Sequence, residues 1–463
     1  MRVAVVGAGP AGVRAVEQLV RAGVTPTWID EAPDGGGRIY QRPPAGFRRD
    51  AHALYGFEAK RAASLHAALD ALKPRTDWRP ETLAWHIRPQ ARTLYALQGG
   101  VQQEIGYEAL LLCTGAMDRV VPLPGWTRPG VTTLGAAQIA LKAQGCAIGR
   151  RVAFLGTGPL LWLAAYQYAK AGVEVAAVLD TTPFATKLAA APGLLRAPAT
   201  LAKGLYYIAR LRARRVPVAE GVVPLAMEGD AAGVAALRWR DAAGREQVTA
   251  CDAVAFGWGL KPEAQLADLA GVPFAFDPVQ RNWVPQRDRA GRTPLPGLYL
   301  AGDGAGIGGA DVAELAGARA ALALLEDAGQ GVDAALIAHL DGALRRQARF
   351  RAALERAFPF PAALAAGMAD DTILCRCEAI TAGELRAAAA EESAMVPAPE
   401  VNRAKAFSRV GMGRCQGRVC GPAGAELLAA ALGCTVEEVG RLRGQPPVKP
   451  IPIQPKRGDR LLA

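Results

Sequence analysis

Four of the eight cysteines stand in two tight pairs near the C-terminus: Cys375-x-Cys377, a spacer of residues 378–414, then Cys415-x4-Cys420. Thiolates gathered like this hold a metal, because four of them converging in a reducing compartment would otherwise repel one another or oxidise. The other four, Cys113, Cys146, Cys251 and Cys434, are scattered, which is not the layout of a secreted disulfide scaffold. Zinc sites favour pairs about two to four residues apart. A one-residue gap beside a four-residue gap therefore fits a thiolate-bound iron–sulfur cluster better, with zinc as the competing reading.

The neighbours of these cysteines suit an anionic ligand. Thr381-Ala-Gly-Glu384 reads as a capping box opening a helix after the first pair, and Gly421-Pro422 opens an Ala/Leu helix after the second. Two helix N-termini aimed at one site would offer N–H groups and positive dipole ends. From residue 401 onward there are eleven Lys/Arg against four Asp/Glu, a large part of the chain's net +11. Lys405, Arg409, Arg414 and Arg418 lie closest to the second pair, whereas Lys449, Lys456 and Arg457 belong to a Pro-rich tail and read as solvated.

Such a module needs a redox partner, and the N-terminal elements supply a candidate. Val3–Val6 reads as a strand, Gly7-x-Gly9-x-x-Gly12 as its turn, Val13–Ala22 as a helix and Thr25–Ile29 as the next strand, closing on Asp30-Glu31. This is the dinucleotide fingerprint in its strand–turn–helix context. Gly7 permits the tight turn, Gly9 admits a pyrophosphate to the backbone, and Gly12 allows close helix–strand packing. Asp30, or its neighbour Glu31, stands where a carboxylate meets an adenosine ribose.

A second unit of the same design begins at Arg151, with strand Val152–Leu155, turn Gly156-x-Gly158, helix Pro159–Ala171 and strand Val173–Leu179, closing on Asp180. Its third glycine is replaced by Leu161, followed by Trp162. Large side chains here either push the helix off the strand or fill the ligand's space, so a structural domain and a working nicotinamide site are both open readings. If a nucleotide binds there, Asp180 favours an unphosphorylated ribose. Leu110–Cys113 followed by Thr114-Gly115, Val254–Trp258 with Pro262, and Gly297–Gly302 with Asp303 read as three further buried strands. Asp303 at the carboxyl end of such a strand is placed for a ligand, or serves as a turn cap.

At 463 residues the chain is long enough for two or three domains, and 51% apolar with 21% charged residues is ordinary globular composition. Aromatics are only 6% and no basic run interleaves with them, so nucleic-acid binding is not expected. No apolar run has the length of a membrane span, and Met1 leads straight into the first strand with no room for a signal peptide. A soluble, cytoplasmic protein is the expectation. The histidines (His52, His66, His86, His339) pair with no nucleophile, no carboxylate pair stands out, and no Cys-x-x-Cys occurs in the second unit. The chemistry therefore belongs to cofactors.

Taken together, Gly7-x-Gly9-x-x-Gly12, Gly36-Gly37-Arg38, Thr114-Gly115 and Gly302-Asp303, placed around an inserted second unit, resemble the two-dinucleotide-binding-domain flavoproteins over about residues 1–330. The resemblance implies FAD in the first unit, with its diphosphate over Gly9, Pro10, Ala11 and Gly12. It places the adenosine ribose on Asp30 or Glu31, and further contacts at Gly7, Gly37, Arg38, Thr114, Gly115 and Gly302, with the ribityl chain near Asp303. Cys375-Arg-Cys377-Glu378, Lys405 and Arg409–Cys420 resemble the bacterioferritin-associated-ferredoxin-like [2Fe-2S] domain. The resemblance makes Cys375, Cys377, Cys415 and Cys420 the cluster's ligands.

That fusion is similar to the larger FAD subunits of bacterial heteromeric amine dehydrogenases, the group of opine oxidases, hydrogen cyanide synthases, and proline and D-hydroxyproline dehydrogenases. The implied fold class is α/β, with two Rossmann-like domains, the second inserted in the first, and a small helical C-terminal [2Fe-2S] domain. The boundaries are 1–125 and 286–330 for the FAD-binding domain, 126–285 for the second dinucleotide-like domain, 331–370 for a helical connector, 371–440 for the cluster domain and 441–463 for an extended tail. The implied function is electron transfer within a heteromeric dehydrogenase acting on an opine, imino acid or amino acid. The resemblance also implies an amino-acid-oxidase-like beta subunit, room for an interfacial FMN and for a small ferredoxin-like gamma subunit, and a place for a non-redox nucleotide in the second unit. Two other readings compete: a self-sufficient NAD(P)H-dependent reductase, and an assembly subunit whose cofactors do not turn over.

Overall fold

The structure, a computed structural model, describes residues 1–44, 46–47, 49–395, 400–453 and 456–457. Val3–Val6 is apolar at every position and buried at every position, as a strand covered on both faces must be. It is the middle of a five-stranded parallel sheet ordered Leu298–Leu300, Ala109–Leu112, Val3–Val6, Thr27–Ile29, Asp77–Arg79. The strands at 109–112 and 298–300 are neighbours here although about 190 residues separate them in sequence. Everything between is an insertion.

That insertion carries its own five-stranded parallel sheet, ordered Val218–Glu220, Glu174–Asp180, Arg151–Thr157, Ala253–Trp258, Val131–Thr133. The two units touch through an antiparallel pair, Ala116–Asp118 with Leu260–Pro262, so the crossings out of and back into the first unit lie side by side. Each unit also bears a three-stranded antiparallel meander: Thr82–Arg88, Thr93–Gln98, Val101–Gly106 on the first, and Val223–Gly229, Val234–Arg240, Glu246–Ala250 on the second.

The first helix spans Pro10–Arg21, starting three residues before the hydrophobic pattern suggests. Pro10 is at its first position, where a missing N–H costs nothing, and Gly9 is its N-cap. The second strand starts at Thr27 rather than Thr25, because Pro26 has no N–H for the ladder. The connector is the 24-residue helix Ala334–Ala357, capped by Asp333 and ended at Phe358, the residue before Pro359 in Phe358-Pro-Phe-Pro361. The cysteine module follows, built on helices Ala382–Met395, Val401–Ser408 and Gly421–Leu432, and its core is continuous with that of the second unit.

The described part of the tail straps back onto its own chain. Arg441 lies 3.8 Å over the Phe274 ring and pairs with Asp268 at 2.6 Å, the Val448 N–H donates to the Trp85 carbonyl at 3.2 Å, and Lys449 pairs with Glu31. Lys456–Arg457 then adds a parallel strand beside Val101–Gln102. The rest of the tail lies outside the described residues. Among the described residues no helix is long and apolar enough to cross a membrane.

Candidate functional site

In the first unit the glycine turn is dictated by contact. A Cβ on Gly12 would lie 1.9 Å from the Gly7 carbonyl oxygen, so any side chain there would force the helix off the strand. The Asp30 carboxylate is drawn to that turn, accepting the Ala8 N–H at 2.6 Å and the Ala32 N–H at 2.8 Å. Burial pushes the Asp30 pKa up, with these two backbone bonds opposing it. Glu31 has other duties. Burial would raise its pKa, but Lys449 and then Arg38 outweigh it and hold the carboxyl below its usual value.

Thr114-Gly115 and Gly302-Asp303 close around the same turn. Gly302 adopts φ +71° and a Cβ there would sit 2.8 Å from the Ala11 Cβ, so this loop packs closely on the first helix. Asp303 Oδ1 accepts both the Gly308 and Gly309 N–H groups at 2.8 Å, which sets its carboxylate before the helix Ala310–Asp327. The Thr114 hydroxyl donates to the Glu263 carbonyl, and the Glu263 N–H donates to the Gly115 carbonyl at 2.9 Å. Gly37 approaches Gly9, while Arg38 is largely exposed and pairs with Glu31 at 3.2 Å. The sequence motifs of the first unit thus converge along one sheet edge. A cradle that glycine leaves free of side chains, with a positioned carboxylate at each end, fits a dinucleotide such as FAD.

The second unit's edge is filled by the chain itself. Leu161 and Trp162 are both buried in its core. Asp180, with no exposure, accepts the Thr182 N–H at 2.9 Å and pairs with Lys187 at 2.6 Å. That Lys187 contact is charge-to-charge without hydrogen-bond alignment, since Asp180 Oδ2 has no directed partner. Lys187 also reaches Glu220 at 2.9 Å and lies over the rings of Trp162 and, from the connector, Phe358, at 5.3 and 5.5 Å. The acid placed for a ribose is therefore already ion-paired from within.

The four paired cysteines come together. Cys375 and Cys420 are buried, Cys377 and Cys415 half-buried, and their thiols form a hydrogen-bonded set in which Cys420 faces both Cys375 and Cys415, and Cys415 faces Cys377. The bond from Cys420 lowers the pKa of Cys375 and Cys415 against the burial that opposes it, with help from backbone N–H groups at Gly411, Glu378, Val419 and Gly417. Those donors suit sulfurs carrying negative charge, as in a thiolate-bound cluster. Among the described residues no group of three or more His, Cys, Asp or Glu side chains is set out to hold a metal ion.

The predicted capping box forms, with Glu384 N–H donating to Thr381 Oγ1 at 3.2 Å and Thr381 N–H to Glu384 at 2.7 Å, and the helix Gly421–Leu432 starts directly after Cys420. Of the nearby cations, Arg409 pairs with Glu378 at 2.8 Å and Lys405 is buried. Arg418 holds Glu263, at 2.6 and 3.1 Å, and reaches the Cys415 carbonyl at 3.4 Å. Sequence reasoning missed Glu263, Lys187 and the buried Lys142, because none sits in a motif. Proximity to Pro262 was the one hint of Glu263.

Residues 1–325 match the family described as pyridine nucleotide-disulphide oxidoreductase, and residues 373–430 match the BFD-like [2Fe-2S] binding domain. An opine oxidase subunit of Rhizobium meliloti is 35% identical over 96% of this chain and 85% of its own. The hydrogen cyanide synthase subunit HcnB of Pseudomonas protegens is 31% identical over 97% of this chain and 96% of its own. Among solved structures, L-proline dehydrogenase from P. horikoshii shares the fold at TM-score 0.71 and 19% identity, over 98% of this chain and 78% of that one.

Proposed function

Because this chain belongs to the family of these opine oxidase and hydrogen cyanide synthase subunits and of the pyridine nucleotide-disulphide oxidoreductases, and is an FAD- and [2Fe-2S]-containing oxidoreductase subunit of a heteromeric dehydrogenase, we propose that it relays electrons from a partner that oxidises an opine, imino acid or amino acid. When bound, FAD supplies two-electron and the cluster one-electron chemistry. In this reading Gly7 makes the turn, Gly9, Pro10, Ala11 and Gly12 receive the diphosphate, Asp30 the adenosine ribose and Asp303 the ribityl hydroxyls. Gly37, Arg38, Thr114, Gly115 and Gly302 wall the site, Glu31 anchors the tail, and Cys375, Cys377, Cys415 and Cys420 hold the iron. The domain division at residues 125, 285, 330, 370 and 440 follows the same reading.

One observation carries it above all: the open sheet edge is the one joined to the cysteine module through Glu263 and Arg418, while the second unit's edge is closed by Lys187, Trp162 and Phe358. The partner is an amino-acid-oxidase-like beta subunit, with an interfacial FMN and a small ferredoxin-like gamma subunit in its full assembly. The compartment is the cytoplasm. The test is anaerobic reduction followed by absorption. NADH added to the lone chain should leave the flavin oxidised, whereas an opine or amino acid added to the co-expressed complex should bleach it. Rapid bleaching of the lone chain by NADH would reject the relay in favour of a reductase, and a flavin that no substrate of the complex bleaches would favour an assembly role.

A further inference from the structure

Three residues join the two cofactor sites. Thr114, whose Oγ1 would lie only 2.5 Å from a Cβ on Gly304 and so borders the Asp303 loop, donates its hydroxyl to the Glu263 carbonyl. The Glu263 backbone is doubly tied there, since its N–H also donates to Gly115. Its side chain points the other way. Both carboxylate oxygens receive the Arg418 guanidinium, Nε at 2.6 Å and Nη2 at 3.1 Å, in a fork that only Arg can form. Arg418 stands between Cys415 and Cys420 in sequence, and its Nη1 reaches the Cys415 carbonyl at 3.4 Å and the Val448 carbonyl.

Arg418 is buried and Glu263 largely so. A buried cation beside a cluster acts on it with little screening, and cluster potentials respond to net local charge. Other ion pairs also fasten the module and the tail behind it to the rest of the chain: Arg281 with Glu426, and Arg441 with Asp268. Neither is tied by its backbone to the Thr114-Gly115 loop. The Glu263–Arg418 pair is therefore set apart by place rather than by strength.

Resting on the FAD and [2Fe-2S] assignment above, we infer that Glu263 and Arg418 are positioning residues that hold the cluster loop against the flavin edge and set the cluster's reduction potential, the guanidinium raising it and the carboxylate holding that rise in check.

The two halves of one ion pair should then move the potential in opposite directions, which loosening of a clamp does not do. In Glu263→Gln the backbone bonds to Thr114 and Gly115 persist and two carbonyls still hold Arg418, so its charge goes uncompensated and the potential rises. In Arg418→Gln the lone carboxylate remains and the potential falls. Arg418→Lys keeps the charge and should stay near the native value.

The measurement is an EPR-monitored redox titration of the purified chain, after iron, sulfide and flavin analysis of each variant. We expect the reduced-to-oxidised ratio of the cluster at fixed poise to rise about tenfold in Glu263→Gln and to fall about tenfold in Arg418→Gln, each about 59 mV for a one-electron couple. Asp268→Asn, which breaks a comparable tie, should leave the ratio unchanged. Shifts of the same sign in Glu263→Gln and Arg418→Gln, or an equal shift in Asp268→Asn, would reduce the pair to a clamp and overturn the inference. If Arg418→Gln fails to load its cluster, Glu263→Gln against Asp268→Asn decides: a rise confined to the former supports the inference, and no rise overturns it. A native chain without iron, sulfide or flavin would fail the functional reading itself, a result distinct from unmoved potentials in a loaded chain.

Discussion

The two dinucleotide units share the order of four parallel strands, a strand–turn–helix opening and an aspartate at or just after the end of the second strand, yet they end in opposite states. In the first unit the residue at the third turn position is Gly12, and Asp30 braces the turn by accepting the Ala8 N–H. In the second it is Leu161, and Asp180 is neutralised by Lys187 from the chain's own helix Phe184–Leu194. The first edge faces two glycine loops, the second a lysine packed between two aromatic rings. A fold used twice need not bind twice. What decides is whether the side chains at the carboxyl edge leave room and leave the acid free.

The sharpest way to break this contrast is to exchange the third turn residues. Gly12→Val should yield protein without flavin, because the new side chain meets the Gly7 carbonyl. Leu161→Gly should keep its flavin and lose stability instead, by roughly 2–5 kcal/mol for emptying a fully buried leucine site. Absorption at the flavin bands and urea unfolding read the two effects separately. Flavin loss in Leu161→Gly would mean that the second unit holds it.

The cysteine module offers the next contrast, since it should fail alone. Cys420→Ser should abolish the cluster and soften its own domain, metal binding and folding being coupled in small modules. Flavin content should persist, because residues of the first unit bury a separate core. Stoichiometric zinc without iron in the native protein would contradict the cluster assignment.

A smaller effect separates the two acids. On the proposed placement, Asp303→Ala would remove a charge-assisted hydrogen bond to the ribityl chain, about 1.5–3 kcal/mol, and should weaken FAD roughly ten- to a hundredfold by flavin titration. Asp180→Ala should leave flavin affinity unchanged. The reverse pattern would exchange the roles assigned to the units.

The smallest effect lies where the units meet. Lys142, in the helix Leu134–Ala143 of the second unit, is buried with the Ile39 carbonyl of the first as its hydrogen-bond acceptor at 2.9 Å, and burial pushes its pKa down to about 7. In the unfolded chain it titrates near the ordinary lysine value, so between these two values the unfolded state binds more protons. Stability therefore grows as pH rises from about 7 towards that ordinary value. It is lost over the same window as pH falls, fully so once pH is below about 7. Lys142→Met should exceed the native chain in urea stability at pH 6, with the gap closing by about pH 10. A gap independent of pH would show that Lys142 is not held in this way.

Much of this was legible in the residues alone. Local pattern suffices for a strand of four apolar residues, a glycine triplet and a proline at a helix's first position, because backbone sterics decide them within a few residues. The cysteine spacing and the Thr381–Glu384 capping box are local in the same way, and both appear in the structure where expected. The helices Ala51–Tyr55 and Ala59–Leu72 and the two meanders carry no motif and were not anticipated.

Asp180 shows the limit most plainly. In sequence it stands where Asp30 does, a carboxylate at the corresponding place in the second unit, with Leu161 as the one local sign against binding there. Only packing puts Lys187 on it and Phe358, 178 residues away, beside that lysine. The same holds for Glu263, whose tie to Arg418 crosses 155 residues, and for the tail that returns to Glu31. Residue order is enough to say which local elements form and which side chains are able to hold a nucleotide or iron, because those choices are made within a few residues. Which acid stays free and which cation faces the cysteines depend on contacts between distant segments, and those are settled only when the units pack.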